Sequence, residues 1–156
     1  MRNWKKIFIA GLLAIVVVAG VLMYLGILDT LRIKRVLTGT EEAFEQEELD
    51  KLMSYVLLKY NDGYGFNYPM VKRLMSGLFQ DFDQFEATVE NPVIKIEEDT
   101  ATIQFSLWIT VDWNGTPSYI VGTNRSGAPV KVYLRKELLS WKVVRLEGVI
   151  KSRNAR

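Results

Sequence analysis

From Ile7 to Leu28 the chain reads IFIAGLLAIVVVAGVLMYLGIL, without a single charge. A helix over that run extends roughly 33 Å, enough to cross a hydrocarbon core of about 30 Å. Trp4 and Tyr24 stand near its two ends, where amphipathic rings favour the interface. Arg2, Lys5 and Lys6 in front of it resemble the basic start of a signal peptide. A signal core, however, runs only about 7–15 residues. Here the apolar sequence continues past the small-residue site at Val17–Ala19, so the run predicts an uncleaved anchor. Gly11, Gly20 and Gly26 are too widely spaced to form one close-packing helix face. Cations flank both ends, Arg2, Lys5 and Lys6 before and Arg32, Lys34 and Arg35 after. A short basic tail before a first span stays in the cytoplasm, while a long following domain translocates regardless. The expected organisation is a cytoplasmic tail over 1–6, a transmembrane helix over 7–28, an extracytoplasmic domain over 29–150 (periplasmic in a Gram-negative cell) and a basic C-terminal tail over 151–156.

Composition removes whole classes of function. Lys and Arg total 20 against 18 Asp and Glu, a formal charge of +2, which argues against a nucleic-acid partner. The chain has no Cys and no His. Cys/His zinc sites, thiol nucleophiles, imidazole bases, Ser-His-Asp triads and lipid attachment through cysteine are therefore excluded. Acids concentrate in Glu41–Asp50 and cations in Arg125–Arg156, a pattern of solvated faces that attract one another.

Beyond the span the periodicity is first helical. Ile33, Val36, Leu37, Thr40, Ala43 and Phe44 continue the membrane helix, with a bend expected at Gly39 because glycine weakens a helix by about 1 kcal/mol. Leu49, Leu52, Met53 and Val56 form a second stripe, and Val71, Leu74, Met75, Leu78 and Phe82 a third, started by Pro69. Tyr60–Pro69 between them is a loop by its Asn-Asp-Gly content. The period then switches to two. Phe85, Ala87 and Val89 alternate with acids and Thr88, Asn91-Pro92 interrupts with a bulge, and Ile94 and Ile96 resume. Ala101, Ile103, Phe105, Leu107, Ile109, Val111 and Trp113 mark one face of the longest strand. A loop rich in Gly, Asn and Pro follows. Val130, Val132 and Leu134 then alternate in a further strand, and Trp141–Val149 closes the sheet. The expected fold is α+β: three helices on one face of a curved antiparallel sheet of about four strands.

The helix pair EEAFEQEELDKLMSYV, Tyr60-Asn61-Asp62 with Gly65, the strand pair ENPVIKIEEDTATIQFSLWITV and the ending VKVYLRKELLSWKVVRLEGV together resemble the nuclear transport factor 2-like superfamily, the cystatin-like cone, over residues 30–150. The resemblance implies a cone whose enzymatic members hold Asp, His or Tyr groups against an apolar wall. The matching inward positions here are apolar, so no catalytic residue is carried over and no enzyme is expected.

Tyr60, Asp62, Tyr64 and Phe66 are candidates for a pocket entrance, with Asp62 also suited to capping the Asp-Gly turn. Glu97, Glu98 and Asp99 point alternately and do not form a metal site. Gly122 and Gly127 lack the strand-then-helix setting of a phosphate loop. No cofactor is implied. Trp108, with Gln104, Ser106 and Thr110, lies on the outer sheet face, covered either by the Trp113–Pro129 loop or by another chain. The cones of the resembling superfamily pair through their sheets. The leading expectation is a non-catalytic, membrane-anchored interaction domain with a protein partner or second copy, an accessory or assembly subunit of an envelope complex. Alternatives are a module for a small apolar ligand or lipid and, behind it, an isomerase- or cyclase-type enzyme using Asp62.

Overall fold

The computed structural model describes residues 2–149, with side chains from Leu12 onward. The basic tail expected over 151–156 and the side chains of Arg2, Trp4, Lys5 and Lys6 lie outside the described residues. The chain divides into two compact units, Met1–Lys34 and Arg35–Arg156.

Helix α1 (Arg2–Glu45) supplies all of the first unit. Its side chains from Leu12 to Ile27 are exposed, an unbroken apolar surface. The helix is long and apolar enough to cross a membrane. Its polar side chains beyond the apolar run are satisfied locally. Thr30 donates to the Gly26 carbonyl at 3.0 Å and Arg32 pairs with Asp29 at 3.3 Å.

The second unit opens with the last turns of α1, followed by α2 (Leu49–Ser54) and α3 (Tyr68–Asp81). The helix runs unbroken through Gly39. The missing side chain serves packing instead, because Tyr55 lies across the position a Cβ would take, its Cζ 2.7 Å away. Helix α3 starts where Asn67 accepts from the Met70 amide at 3.1 Å, with Pro69 in the first turn.

Five antiparallel strands follow: β1 (Asp83–Glu97), β2 (Thr100–Trp113), β3 (Thr116–Val121), β4 (Ala128–Glu137) and β5 (Ser140–Glu147). The order is β1-β2-β4-β5, with β3 on the second half of β2. The sequence pattern points to about four strands and leaves Trp113–Pro129 as loop; β3 is the addition. Asn114-Gly115 forms its tight turn, both residues at positive φ (54° and 79°), and Asp112 accepts from the Gly115 amide at 2.6 Å. The expected interruption at Asn91-Pro92 is a register shift between Glu90 and Val93.

The packed core lies at the β1-start end of the sheet. Phe44, Phe79 and Phe85 meet with ring centroids 5.1–5.6 Å apart, over Val111, Ala43 and Leu52. Phe82 stacks edgewise on the exposed Trp113 at 5.2 Å. Phe105 on β2 lies farther in, away from this aromatic cluster.

Candidate functional site

The remaining interior is hollow. A cavity of about 230 Å³ lies between the sheet and the helices of the second unit. Its floor is the inward face of the sheet: Ala87 and Val89 on β1, Ile103, Phe105, Leu107 and Ile109 on β2, and Val130, Val132 and Leu134 on β4. Strand alternation places these residues together, and register confirms it, with Val132 opposite Ile103 on one side and Leu146 on the other. The roof comes from Val36, Leu37 and Thr40 on α1, Leu52 and Met53 on α2, and Val71 and Met75 on α3.

Four polar side chains approach this lining, and little of their polar surface reaches it. The Thr40 hydroxyl donates to the Val36 carbonyl at 2.6 Å. Tyr60 donates to Asp62 Oδ2 at 3.1 Å; burial, with the neighbouring carboxylate, pushes the phenol well above its ordinary range. Tyr55 lies over Gly39. Glu41 is held above the ordinary carboxylate range, first by burial and then by Glu45 and Glu42. What remains is a wall of carbon, suited to dispersion and burial rather than to proton transfer.

Of the four sequence candidates for the entrance, Tyr60 alone lines the cavity. Asp62 organises the loop: its Oδ1 accepts from the Tyr64 and Phe66 amides, each at 2.9 Å. Tyr64 is exposed and Phe66 half-buried, both outside the lining. Among the described residues no group of three or more acids is placed to hold a metal ion.

The helical wall of the cavity (Val36, Leu37, Val71, Met75 and Glu41) does not stand out in the sequence as a site. Its stripes read as ordinary core-facing periodicity, and a void between them depends on how far apart the elements stand.

On the opposite sheet face, Trp108 has the first of its two expected environments. Its ring lies between Gly122 and Gly127, and a Cβ on Gly127 would fall 2.7 Å from the ring. Its indole N–H donates to the Thr123 carbonyl at 3.0 Å. Gln104 is exposed, and Ser106 and Thr110 are half-buried on the same face. Cross-strand pairing sets Tyr119 beside Thr110, with half of its surface exposed.

No family model and no curated protein matches this sequence. Solved structures do. A nuclear transport factor 2-like protein with a cystatin-like fold from Novosphingobium aromaticivorans superposes with a TM-score of 0.64 at 17% identity, covering 88% of this chain and 90% of that one. The second unit has the nuclear transport factor 2-like fold. A cystatin-like protein from Nostoc punctiforme gives a TM-score of 0.58 at 18% identity, over 76% of this chain and 88% of that one. A Bdellovibrio bacteriovorus protein, Bd1075, gives 0.63 at 15% identity, over 78% of this chain; the match spans 40% of that longer protein's length. At such identities it is the nuclear transport factor 2-like architecture that is shared. Function has to be argued from this chain's own site.

Proposed function

We propose that this nuclear transport factor 2-like domain is a non-catalytic module that holds a small apolar ligand, the hydrocarbon chain of a lipid or isoprenoid, beside the membrane in which α1 anchors it. The carrying observation is the carbon-walled cavity of about 230 Å³. An apolar cavity of about 150 Å³ already stays dry and takes up benzene, whereas drug-sized ligands occupy about 300–1,000 Å³. The volume suits a short acyl or prenyl segment. With little polar surface presented into it, the cavity selects by shape and apolarity, and a polar head stays outside. The non-catalytic reading draws on the same apolar wall and on Asp62, the acid a cyclase or isomerase would use, which lies outside the lining and is engaged by two amides and a phenol. The flanking cations nearly balance, and the short basic tail before the span is what favours an orientation with the N-terminus in the cytoplasm and the domain outside.

Native mass spectrometry of the full chain, extracted in mild detergent, tests the reading. The expected result is a population carrying one small lipid, lost on organic extraction and regained on incubation with decanoate. A chain that neither carries nor takes up any such mass would overturn it.

A second reading, an accessory or assembly subunit that pairs with a protein partner or another copy, draws on the half-exposed Tyr119 beside Thr110 and on the exposed Gln104 farther along the outer face. Purification as a monomer at every concentration, without a co-purifying protein, would count against it.

A further inference from the structure

We propose that the ligand of this cavity is an aliphatic amine, its chain in the apolar space and its ammonium paired with Glu41. The inference rests on the apolar-ligand reading above and names the chemistry of the ligand's polar end. Glu41 is the one carboxylate in the lining, and among the described residues no Lys or Arg joins it there. Little polar surface faces the cavity, so the Glu41 stem lines it while the charged oxygens stand at its margin, where a polar head stays.

The fold fixes that placement. Leu37, Glu41 and Glu45 follow one another at helical spacing on one face of α1. Glu45 accepts from the Ala87 amide at 2.9 Å, which directs this face toward β1. No strand lies beyond β1 in the sheet, and the floor ends there. Along this edge Leu37, Glu41, Val71, Met75, Ala87 and Val89 all line the cavity, and all keep part of their surface exposed. Interior and solvent therefore meet beside the Glu41 carboxylate.

Among the described residues no side chain bonds to or pairs with that carboxylate. The charges that act on it are Glu45 and Glu42, which add to burial in holding its carboxyl above the ordinary range. On α3, Lys72 is engaged by Asp50 at 2.9 Å, and helical spacing sets Arg73 opposite Val71 and Met75. On β1, Glu86 and Glu90 alternate away from Ala87 and Val89. A half-buried anion with only anions acting on it is completed by a cation. An ammonium supplies the charge and three donors, a hydroxyl supplies a donor alone, and a carboxylate adds a like charge.

Decylamine, decanol and decanoate share one chain length and differ in the head. The delipidated full chain, in neutral detergent at pH 8 and low ionic strength, is titrated with each, and bound ligand is counted by native mass spectrometry. Decylamine should bind about tenfold more tightly than decanoate, with decanol between, a factor that a half-exposed ion pair supplies. Glu41→Gln should bring the three affinities within about twofold of one another, and Glu41→Lys should reverse the order of amine and carboxylate. Val132→Phe, which fills the cavity, should abolish uptake of all three. Equal affinities in the unaltered chain, or a preference for the amine that persists in Glu41→Gln, overturn the assignment while leaving the apolar cavity in use. Amine binding that survives Val132→Phe also overturns it, because the amine then pairs with the acidic surface of α1 rather than entering the cavity. Uptake of none of the three compounds refutes the apolar-ligand reading itself, and this inference with it.

Discussion

Filling the cavity from its floor distinguishes a hollow interior from a packed one by the sign of the stability change. Val132 is central, paired across the sheet with Ile103 and Leu146, and all three line the space. Val132→Phe adds four carbons. At about 0.8 kcal/mol per buried carbon the ceiling is about 3 kcal/mol of stabilisation. Ring immobilisation and imperfect fit reduce that to an expected 1–2 kcal/mol, roughly 4–8 °C in Tm. For scale, about 24 cal/mol per Å³ over 230 Å³ puts the whole void at about 5.5 kcal/mol, so the gain stays well inside what is available. In a filled core the same substitution costs about 1–3 kcal/mol through overpacking. The assay is thermal unfolding of the delipidated full chain in detergent, followed by near-ultraviolet circular dichroism, with decanoate uptake measured on the same samples by native mass spectrometry. The expected pair of results is higher Tm and lost uptake. Lower Tm with uptake unchanged would refute both the void and its proposed use.

Gly39→Ala should destabilise by about 1–3 kcal/mol despite the better helix propensity of alanine, because the new methyl meets the Tyr55 ring; adding Tyr55→Leu should recover much of the loss in denaturant unfolding. Glu41 has a raised carboxyl pKa in the folded chain, so its ionised form opposes folding above that pKa and the penalty disappears below the unfolded value of about 4.3. Glu41→Gln should accordingly raise Tm at pH 7 and leave it unchanged below about pH 4; the opposite pH trend would refute the assignment. Trp108→Ala should lower stability by about 2–4 kcal/mol, since the ring fills the space between Gly122 and Gly127 and bonds to Thr123; a change confined to self-association would instead place Trp108 in a contact between chains.

Local sequence rules determined most of the architecture. The uncharged run from Ile7 points to a helix able to cross a membrane, since a lone segment can satisfy its own backbone in lipid only by helical hydrogen bonding. The change of period after Phe82 separates helices from sheet, and the inward set from Ala101 to Val111 follows from the two-residue repeat alone. Asn91-Pro92 announces its own bulge, and Asp62 before Gly63 its own turn. Strand β3 was legible only in its Asn114-Gly115 turn, because six residues containing a proline carry too little periodicity to stand apart from a loop. Gly39 shows the limit of local reasoning: propensity points to a bend, but the contact that uses the missing Cβ comes from Tyr55 on a later segment. The fate of Trp108 was likewise open until the fold brought Gly122 and Gly127 to either side of its ring. The hollow interior depends most fully on tertiary structure. Whether Phe44, Phe79 and Phe85 fill the space or gather at one end is decided by the separation and angle of helices and sheet, and no single segment encodes that distance.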